Sequence, residues 1–234
     1  MIGLKNINDY IYYHTNIFRN LGIRRTYSQM GEDLIVSYIF KNLNIENPTY
    51  IDIGASDPFA LSNTALLYKN GSRGVNIEPD PTLIGKFKRW RKRDTNLNIG
   101  ITDTDGEMIL HIMSQSTLNT FSHAEALKLE NKKLAKIKST VKVPTRTINS
   151  VIKEYCGNEF PDFLSLDVEG YELPILKAID WNNNYPKVIC CETLDFCAGG
   201  RDTDLIDLIV KAGYSIAADT LINTIFLHNT LELK

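Results

Sequence analysis

The sequence predicts an α/β fold with a mainly parallel sheet and helices on both faces. Three observations carry this. Short apolar runs alternate with segments of helical period along most of the chain. Those runs are nearly continuous in apolar residues, as strands covered on both faces must be. One of them, Tyr50-Ile51-Asp52-Ile53, breaks at Gly54 into a turn, Gly54-Ala55-Ser56-Asp57-Pro58, and a helix restarts near Ser62-Asn63-Thr64, whose side chains are good N-caps. A strand, a glycine turn and a helix N-terminus in that order aim backbone N–H groups at a ligand. The turn is therefore expected to hold a nucleotide-like cofactor, with Asp52 adding a carboxylate that an apolar strand does not carry without a partner.

Taken in order, residues 1–26 read as a helical lead-in, with Tyr10, Ile11, Tyr13, Ile17, Phe18 and Leu21 at roughly helical spacing. A polar loop, Tyr27 to Asp33, feeds an amphipathic helix whose inner face is Leu34, Ile35, Tyr38, Ile39 and Leu43. After the strand at 50–53 and the helix through Lys69, Val75 to Glu78 is the second strand, stopped by Pro79-Asp80-Pro81. The helix Leu83 to Arg93 carries a basic run, read as a solvated outer face. Asn96 to Ile101 is the third strand. It is expected to pair as a hairpin with Glu107 to Ile112 across Thr104-Asp105-Gly106.

Residues 114–146 form an irregular insertion, a hydroxyl-rich loop followed by a Lys-rich helix from His123 to Lys138 and an extended piece at Val141 to Pro144. This is the expected place for an acceptor-facing lid, with a plain surface helix as the equal alternative. A helix from Thr147 to Tyr155 follows, then the fourth strand, Phe163 to Asp167, its helix, Tyr171 to Ile179, and the fifth strand, Val188 to Cys191, reaching Glu192. The helix Thr203 to Lys211 and two strands, Tyr214 to Ala218 and Thr224 to His228, close the chain. Five strand–helix alternations and a terminal pair make seven strands, in one domain spanning 1–234 with N-terminal helices over 1–45.

The 234 residues are enough for one large core, and 43% hydrophobic and 23% charged content is ordinary for a globular chain. A net charge of −2 gives no drive toward nucleic acid or anionic membrane. No run approaches the ~20 apolar residues of a membrane span, and Met1 to Gln29 lacks the apolar stretch of a signal peptide. Cys156, Cys190, Cys191 and Cys197 show no CxxC pair or nearby His, so reduced thiols rather than zinc ligands are expected. These features point to a cytoplasmic enzyme; the oligomeric state is not legible.

In an open α/β sheet, ligands sit outside the carboxyl ends of the strands. Four carboxylates, Asp52, Glu78, Asp167 and Glu192, lie at those ends. Glu78 falls 24 residues after Gly54, where an acid accepts hydrogen bonds from ribose hydroxyls. A dinucleotide would bring GxGxxG, whereas this turn has one glycine and an acid, Asp57, that would repel a pyrophosphate. A cofactor with a ribose, an adenine and a positive centre suits it better, and S-adenosylmethionine is one.

The blocks Tyr27-Ser28-Gln29-Met30-Gly31-Glu32-Asp33, Tyr50 to Ala55, Ser62-Asn63-Thr64, Gly74 to Pro79, Phe163 to Glu172 and Asn223 to Phe226 together resemble the FkbM-type methyltransferases, in family order across most of the chain. The resemblance implies a Rossmann-like class I methyltransferase that uses S-adenosylmethionine, usually to O-methylate a hydroxyl on a sugar or natural product. Asp52, Gly54 and Ala55 would then lie along the amino-acid part of the cofactor. Glu78 would hold the ribose and Gly100-Ile101 would border the adenine. Gln29, Asn63 and Thr64 match positions lining the same pocket, and Ser56 and Pro79 join that cofactor set.

A sugar hydroxyl is a poor nucleophile until its proton leaves, so a base or a metal is wanted. Asp167 and Glu169 are the candidate bases, on one face if their segment stays extended. Glu192 completes the catalytic set. Asp167 and Glu192 are alternatively ligands for magnesium or manganese, with metal-independent transfer preferred. His123 is a further candidate base. The acceptor is expected to be a small molecule, with a nucleotide-linked sugar or glycan precursor of polysaccharide biosynthesis preferred, because Lys132, Lys133, Lys136, Lys138, Lys142 and Arg146 are available to a diphosphate. The rivals are a Rossmann-type NAD-dependent oxidoreductase, which lacks its glycines and a hydride-site pair here, and a non-catalytic partner protein. Nucleic acid as acceptor is a third possibility, for which the basic stretch 83–93 offers charge.

Overall fold

Apolar strands that cannot face water have to lie in the middle of a covered sheet, and the chain puts them there. The computed structural model describes residues 24–181, 184–194 and 199–233. The lead-in helix expected over 1–26 falls, up to residue 23, outside the described residues, and so does Cys197. In chain order the first elements are α1 (Glu32–Asn42), β1 (Tyr50–Ile53), α2 (Ala65–Lys69), β2 (Gly74–Ile77), α3 (Pro81–Trp90), β3 (Thr95–Leu97) and β4 (Gly100–Ile101). The middle of the chain contributes β5 (Gly106–Met113), α4 (His123–Asn131), β6 (Ile137–Arg146), α5 (Ile148–Tyr155) and β7 (Phe163–Leu166). It ends with α6 (Glu172–Lys177), β8 (Val188–Glu192), α7 (Thr203–Lys211), β9 (Tyr214–Asp219) and β10 (Asn223–His228).

The main sheet has seven strands in the order β3-β2-β1-β7-β8-β10-β9. Pairing is parallel from β3 through β8, and β10 runs antiparallel to both its neighbours. The direction of winding reverses between β1 and β7, which is the switch point where such sheets bind ligands. Strand alternation sorts the core into two layers. Ile51, Ile53, Leu164 and Leu166 pack with residues of α5, α6 and α7, while Tyr50 and Phe163 pack with Val36, Ile39 and Phe40 of α1 and Leu67 of α2. Cys191 and Cys190 are buried in these opposite layers as free thiols.

Two expectations change. The stretch 96–101 is divided: β3 joins the main sheet beside β2, and β4 pairs in parallel with β6. Asn98 makes the break, its Nδ2 donating to the carbonyls of Glu78 at 2.9 Å and Pro79 at 2.8 Å, which turns the chain away from the sheet. Consequently β5 forms its antiparallel ladder with β6 rather than with 96–101, and a second, three-stranded sheet in the order β4-β6-β5 stands over the strand ends. The Lys-rich helix also stops at Asn131 instead of reaching Lys138, because Lys133 takes a left-handed φ of 59° and residues from Ile137 onward are claimed by β6.

Gly54 fixes where β1 and β7 meet. Its φ is +81°, and a Cβ there would lie 1.7 Å from the Asp167 carbonyl oxygen. Gly54→Ala is expected to cost about 3 kcal/mol or more, seen as a fall in Tm of roughly 10 °C. A wild-type melting curve for this variant would show that the two strands part more readily than their register implies.

Candidate active site

A parallel sheet delivers the carboxyl ends of its strands to one rim, and here the turns after β1, β2, β7 and β8 are tied together there. The amides of Gly54 and Ala55 donate to the Ile77 carbonyl at 3.0 and 3.1 Å, and the Asp167 amide donates to the Ile53 carbonyl at 3.1 Å. A cavity opens over this rim. On the β2 side its walls are apolar, with Ile77, Ile101, Leu110 and Phe121, and the Phe121 ring packs directly against Gly100. Gln29, Gly54, Ser56, Glu78 and Pro79 supply the polar wall, and Asp167, Glu169 and Glu192 close the side toward β7 and β8.

Ten of the residues singled out from the sequence therefore line one cavity: Gln29, Gly54, Ser56, Glu78, Pro79, Gly100, Ile101, Asp167, Glu169 and Glu192. Asp52, Ala55, Asn63 and Thr64 stand behind its wall. Asp52 lies in β1, one residue before Ile53, so its side chain points to the opposite face from Ile51 and Ile53. There it accepts a 2.6 Å hydrogen bond from Thr64 Oγ1. Thr64 is the N-cap residue of α2 but makes no side-chain cap bond, since its hydroxyl is committed to Asp52. Asn63 donates to Ser165 Oγ at 3.3 Å, and Ala55 packs on Ile84 and Phe87 of α3. The acid of the turn, Asp57, is ion-paired with Lys86 at 2.9 Å and does not face the cavity.

Glu78 is 4% exposed. Its two oxygens accept from the amides of Ser56 and Asp80, both at 2.8 Å, which leaves lone pairs for a ligand. Burial, with the charges of Asp80 and Asp52 nearby, pushes its carboxyl up to about 7.

The other end of the cavity concentrates acid. One carboxylate oxygen each from Asp167, Glu169 and Glu192 lies within 4.8 Å of the others. The segment does not stay extended: β7 ends at Leu166, Glu169 adopts φ 57° and Gly170 φ 96°. The chain turns back, and the turn rather than strand alternation brings Asp167 and Glu169 together. A left-handed conformation at a non-glycine residue costs roughly 1 kcal/mol or more and needs support. Glu172 gives it by accepting from the amides of Val168 at 2.8 Å and Gly170 at 3.0 Å, and Thr120 Oγ1 donates to the Glu169 carbonyl at 2.8 Å. Burial raises all three carboxyls, and the neighbouring charge of Glu172 raises each of them further. Glu192 is raised furthest, with the charges of Asp167 and Glu169 adding to its burial.

A second cavity shares Leu118, Glu169 and Glu192 with the first, so two acids of the cluster stand between the two chambers while Asp167 faces the first. Glu125, Glu172 and Asp202 extend its acidic lining, and Leu129, Leu194 and Leu205 supply apolar surface. His123 lines neither chamber; its ring stacks against His111 with centroids 5.0 Å apart. The sequence did not single out Leu110, Phe121, Thr120 or a loop-holding role for Glu172. Glu172 does stand in the block Asp167 to Glu172, but its function depends on a backbone turn that residue types do not announce.

Asp167 is raised to about 7, so the native state holds its proton above the pH at which an unfolded Asp loses it. Its favourable contribution is full at low pH and disappears as pH rises through about 7. In EDTA, the free protein should therefore melt at lower temperature at pH 8 than at pH 5.5 on this account. Asp167→Asn should raise Tm at pH 8 by about 2–4 °C and flatten that slope. Identical slopes in the two proteins would show the carboxylate to be fully solvated.

Residues 52–216 match the profile of the Methyltransferase FkbM domain. No curated protein matches the chain. Similar solved structures include a TehB-like SAM-dependent methyltransferase from Corynebacterium glutamicum, 12% identical with a TM-score of 0.46, covering 94% of this chain and 97% of that one. Another is the magnesium protoporphyrin IX methyltransferase of Synechocystis with bound SAM, at 10% identity, TM-score 0.45 and coverage of 97% and 86%. A third is the 1,6-didemethyltoxoflavin-N1-methyltransferase of Burkholderia thailandensis, at 11% identity, TM-score 0.41 and coverage of 97% and 91%.

Proposed function

From the premise that this chain belongs to the FkbM methyltransferase family and is an S-adenosylmethionine-dependent methyltransferase, we propose that it O-methylates a hydroxyl group of a sugar. The observation that carries this is the acid cluster, whose Glu169 and Glu192 stand between the two chambers. The first chamber suits the donor by its chemistry. Ile77, Ile101 and Phe121 offer an apolar slot for a purine, and the free lone pairs of Glu78 can accept from ribose hydroxyls. The carboxylates at the far side suit a sulfonium and an ammonium. When bound, S-adenosylmethionine supplies an electrophilic methyl group.

Much of the rate in such a transfer comes from alignment, and the chain's own residues supply the rest. A cation beside the cluster draws its carboxyl groups toward ionisation, offsetting the burial that raises them. A carboxylate oxygen of Asp167 or Glu169 then takes the proton of the acceptor hydroxyl. Glu192, with an oxygen within 4.8 Å of those of Asp167 and Glu169, completes the acid wall around that base. The second chamber supports a neutral polyol: its carboxylates accept from hydroxyls and outnumber its lining cation Lys128, which is ion-paired with Glu125 at 2.9 Å, so a phosphate would be repelled. The cations that favoured a nucleotide-linked sugar, Lys132, Lys133, Lys136, Lys138, Lys142 and Arg146, line neither chamber. Lys142 is ion-paired with Glu107, and Arg146 with Asp105 and Glu154. A glycan precursor with an uncharged reacting end is therefore the proposed acceptor. No helix among the described residues is long and apolar enough to cross a membrane.

A methyl-transfer screen over neutral glycosides beside nucleotide sugars, with the new O-methyl group located by NMR, tests the acceptor class. Asp167→Asn and Glu169→Gln should reduce turnover; the variant that removes the base should lose about 100-fold or more, with S-adenosylhomocysteine affinity nearly unchanged. Wild-type rates in both would remove them from the mechanism. The same three oxygens suit a hard divalent cation such as magnesium or manganese. Transfer is proposed to be metal-independent, so turnover should survive EDTA. Loss in EDTA with recovery on adding magnesium would reassign the cluster to a metal.

A further inference from the structure

The basic run 83–93 reads as a solvated face, and Lys88, Arg89, Lys92 and Arg93 are exposed as that reading expects. Arg91 is not. It is 0% exposed and heads the largest side chains that the protein buries completely. A buried guanidinium is retained only where several acceptors meet its fork. Its Nε donates to Asp94 Oδ2 at 2.8 Å, and Nη2 donates to Tyr50 Oη at 2.8 Å and Thr64 Oγ1 at 3.1 Å. Its Nη1 donates to the Pro58 carbonyl at 3.0 Å. The Tyr68 ring covers it at 4.5 Å.

Two of these partners lead to the cofactor turn. Gly54 and Ser56 line the donor chamber, and the turn that carries them is held at its start by the Ile77 carbonyl and in its middle by Glu78 accepting from the Ser56 amide. Its far end, at Pro58, is held by Arg91. Thr64, which accepts from Arg91, donates its own hydroxyl hydrogen bond to Asp52 at 2.6 Å, in β1 two residues before Gly54. We propose that Arg91 is a positioning residue for the methyl donor, acting through the Pro58 carbonyl and the Thr64–Asp52 pair to fix the Gly54–Pro58 turn. The inference rests on the donor lying in that chamber. Lysine cannot replace it, because one ammonium has a single nitrogen where the fork reaches Pro58, Thr64, Tyr50 and Asp94 with three.

The test is calorimetric titration of S-adenosylhomocysteine into the whole protein, below the melting temperature of every variant. Arg91→Lys should melt cooperatively yet bind at least 10-fold more weakly. Thr64→Val, which leaves Arg91 its bonds to Asp94, Tyr50 and Pro58, should bind about 3-fold more weakly, and Thr64→Ser should restore the wild-type Kd. A purely structural plug would lower Tm and leave Kd unchanged. A folded Arg91→Lys protein with wild-type Kd therefore overturns the proposal, and if that variant does not fold, a wild-type Kd in Thr64→Val overturns it. Wild-type protein that fails to bind S-adenosylhomocysteine in this chamber removes the donor reading itself, an outcome separate from either.

Discussion

Gly54 touches the backbone of Asp167 with no side chain between them, and the site depends on that approach. The contact lies at the switch point between β1 and β7, where parallel strands diverge and leave room above the sheet. Because the strands meet so closely, the turn after β1 and the loop that carries the acids are parts of one backbone arrangement. Moving Asp167 means moving Gly54. In the proposed reaction a methyl group passes between chambers that meet at Glu169 and Glu192, and rigidity at this point would serve that alignment.

Gathering carboxylates there works against folding. Asp167, Glu169 and Glu192 are desolvated and mutually repelling, and Glu169 is additionally held in a left-handed conformation. The surrounding structure carries this strain through bonds that touch backbone rather than the reacting groups: Glu172 binds two amides of the loop, and Thr120 reaches it from the second sheet. Functional sites commonly hold such locally unfavourable arrangements inside a structure that over-determines them. The second sheet thereby contributes both a wall of the first chamber, through Leu110, and a support for the acidic loop through the segment after it that carries Thr120 and Phe121.

Charge is handled in two depths. At the rim no ion pair among the described residues involves Asp167, Glu169 or Glu192, which suits the positively charged donor proposed. Behind β1, Asp94 pairs with the buried guanidinium of Arg91, Thr64 links that guanidinium to Asp52, and Tyr50 and Asn76 complete the set. An aspartate within β1 is thus held against the core, while Asp167, just past the end of β7, lies on a loop that turns it into the cavity.

That distinction marks what the sequence could and could not decide. Apolar runs of strand length, the glycine after Ile53 and acids at successive strand ends determined the sheet, its direction and the rim, because each follows from local periodicity and from the obligation to bury apolar surface. The blocks around Asp52, Glu78 and Asp167 determined the family. Tertiary structure alone decided that β5 pairs with β6, since Asn98 breaks the third strand only by reaching carbonyls of residues 78 and 79. It also decided that Arg91 turns inward from a run of exposed cations, and that Glu169 meets Asp167 through a turn. Each of these depends on partners distant in the chain or on a backbone conformation that its residue type disfavours, and neither leaves a local pattern. The Tyr50–Pro58 turn is legible as a cofactor turn in its residues; what holds it still is legible only in three dimensions.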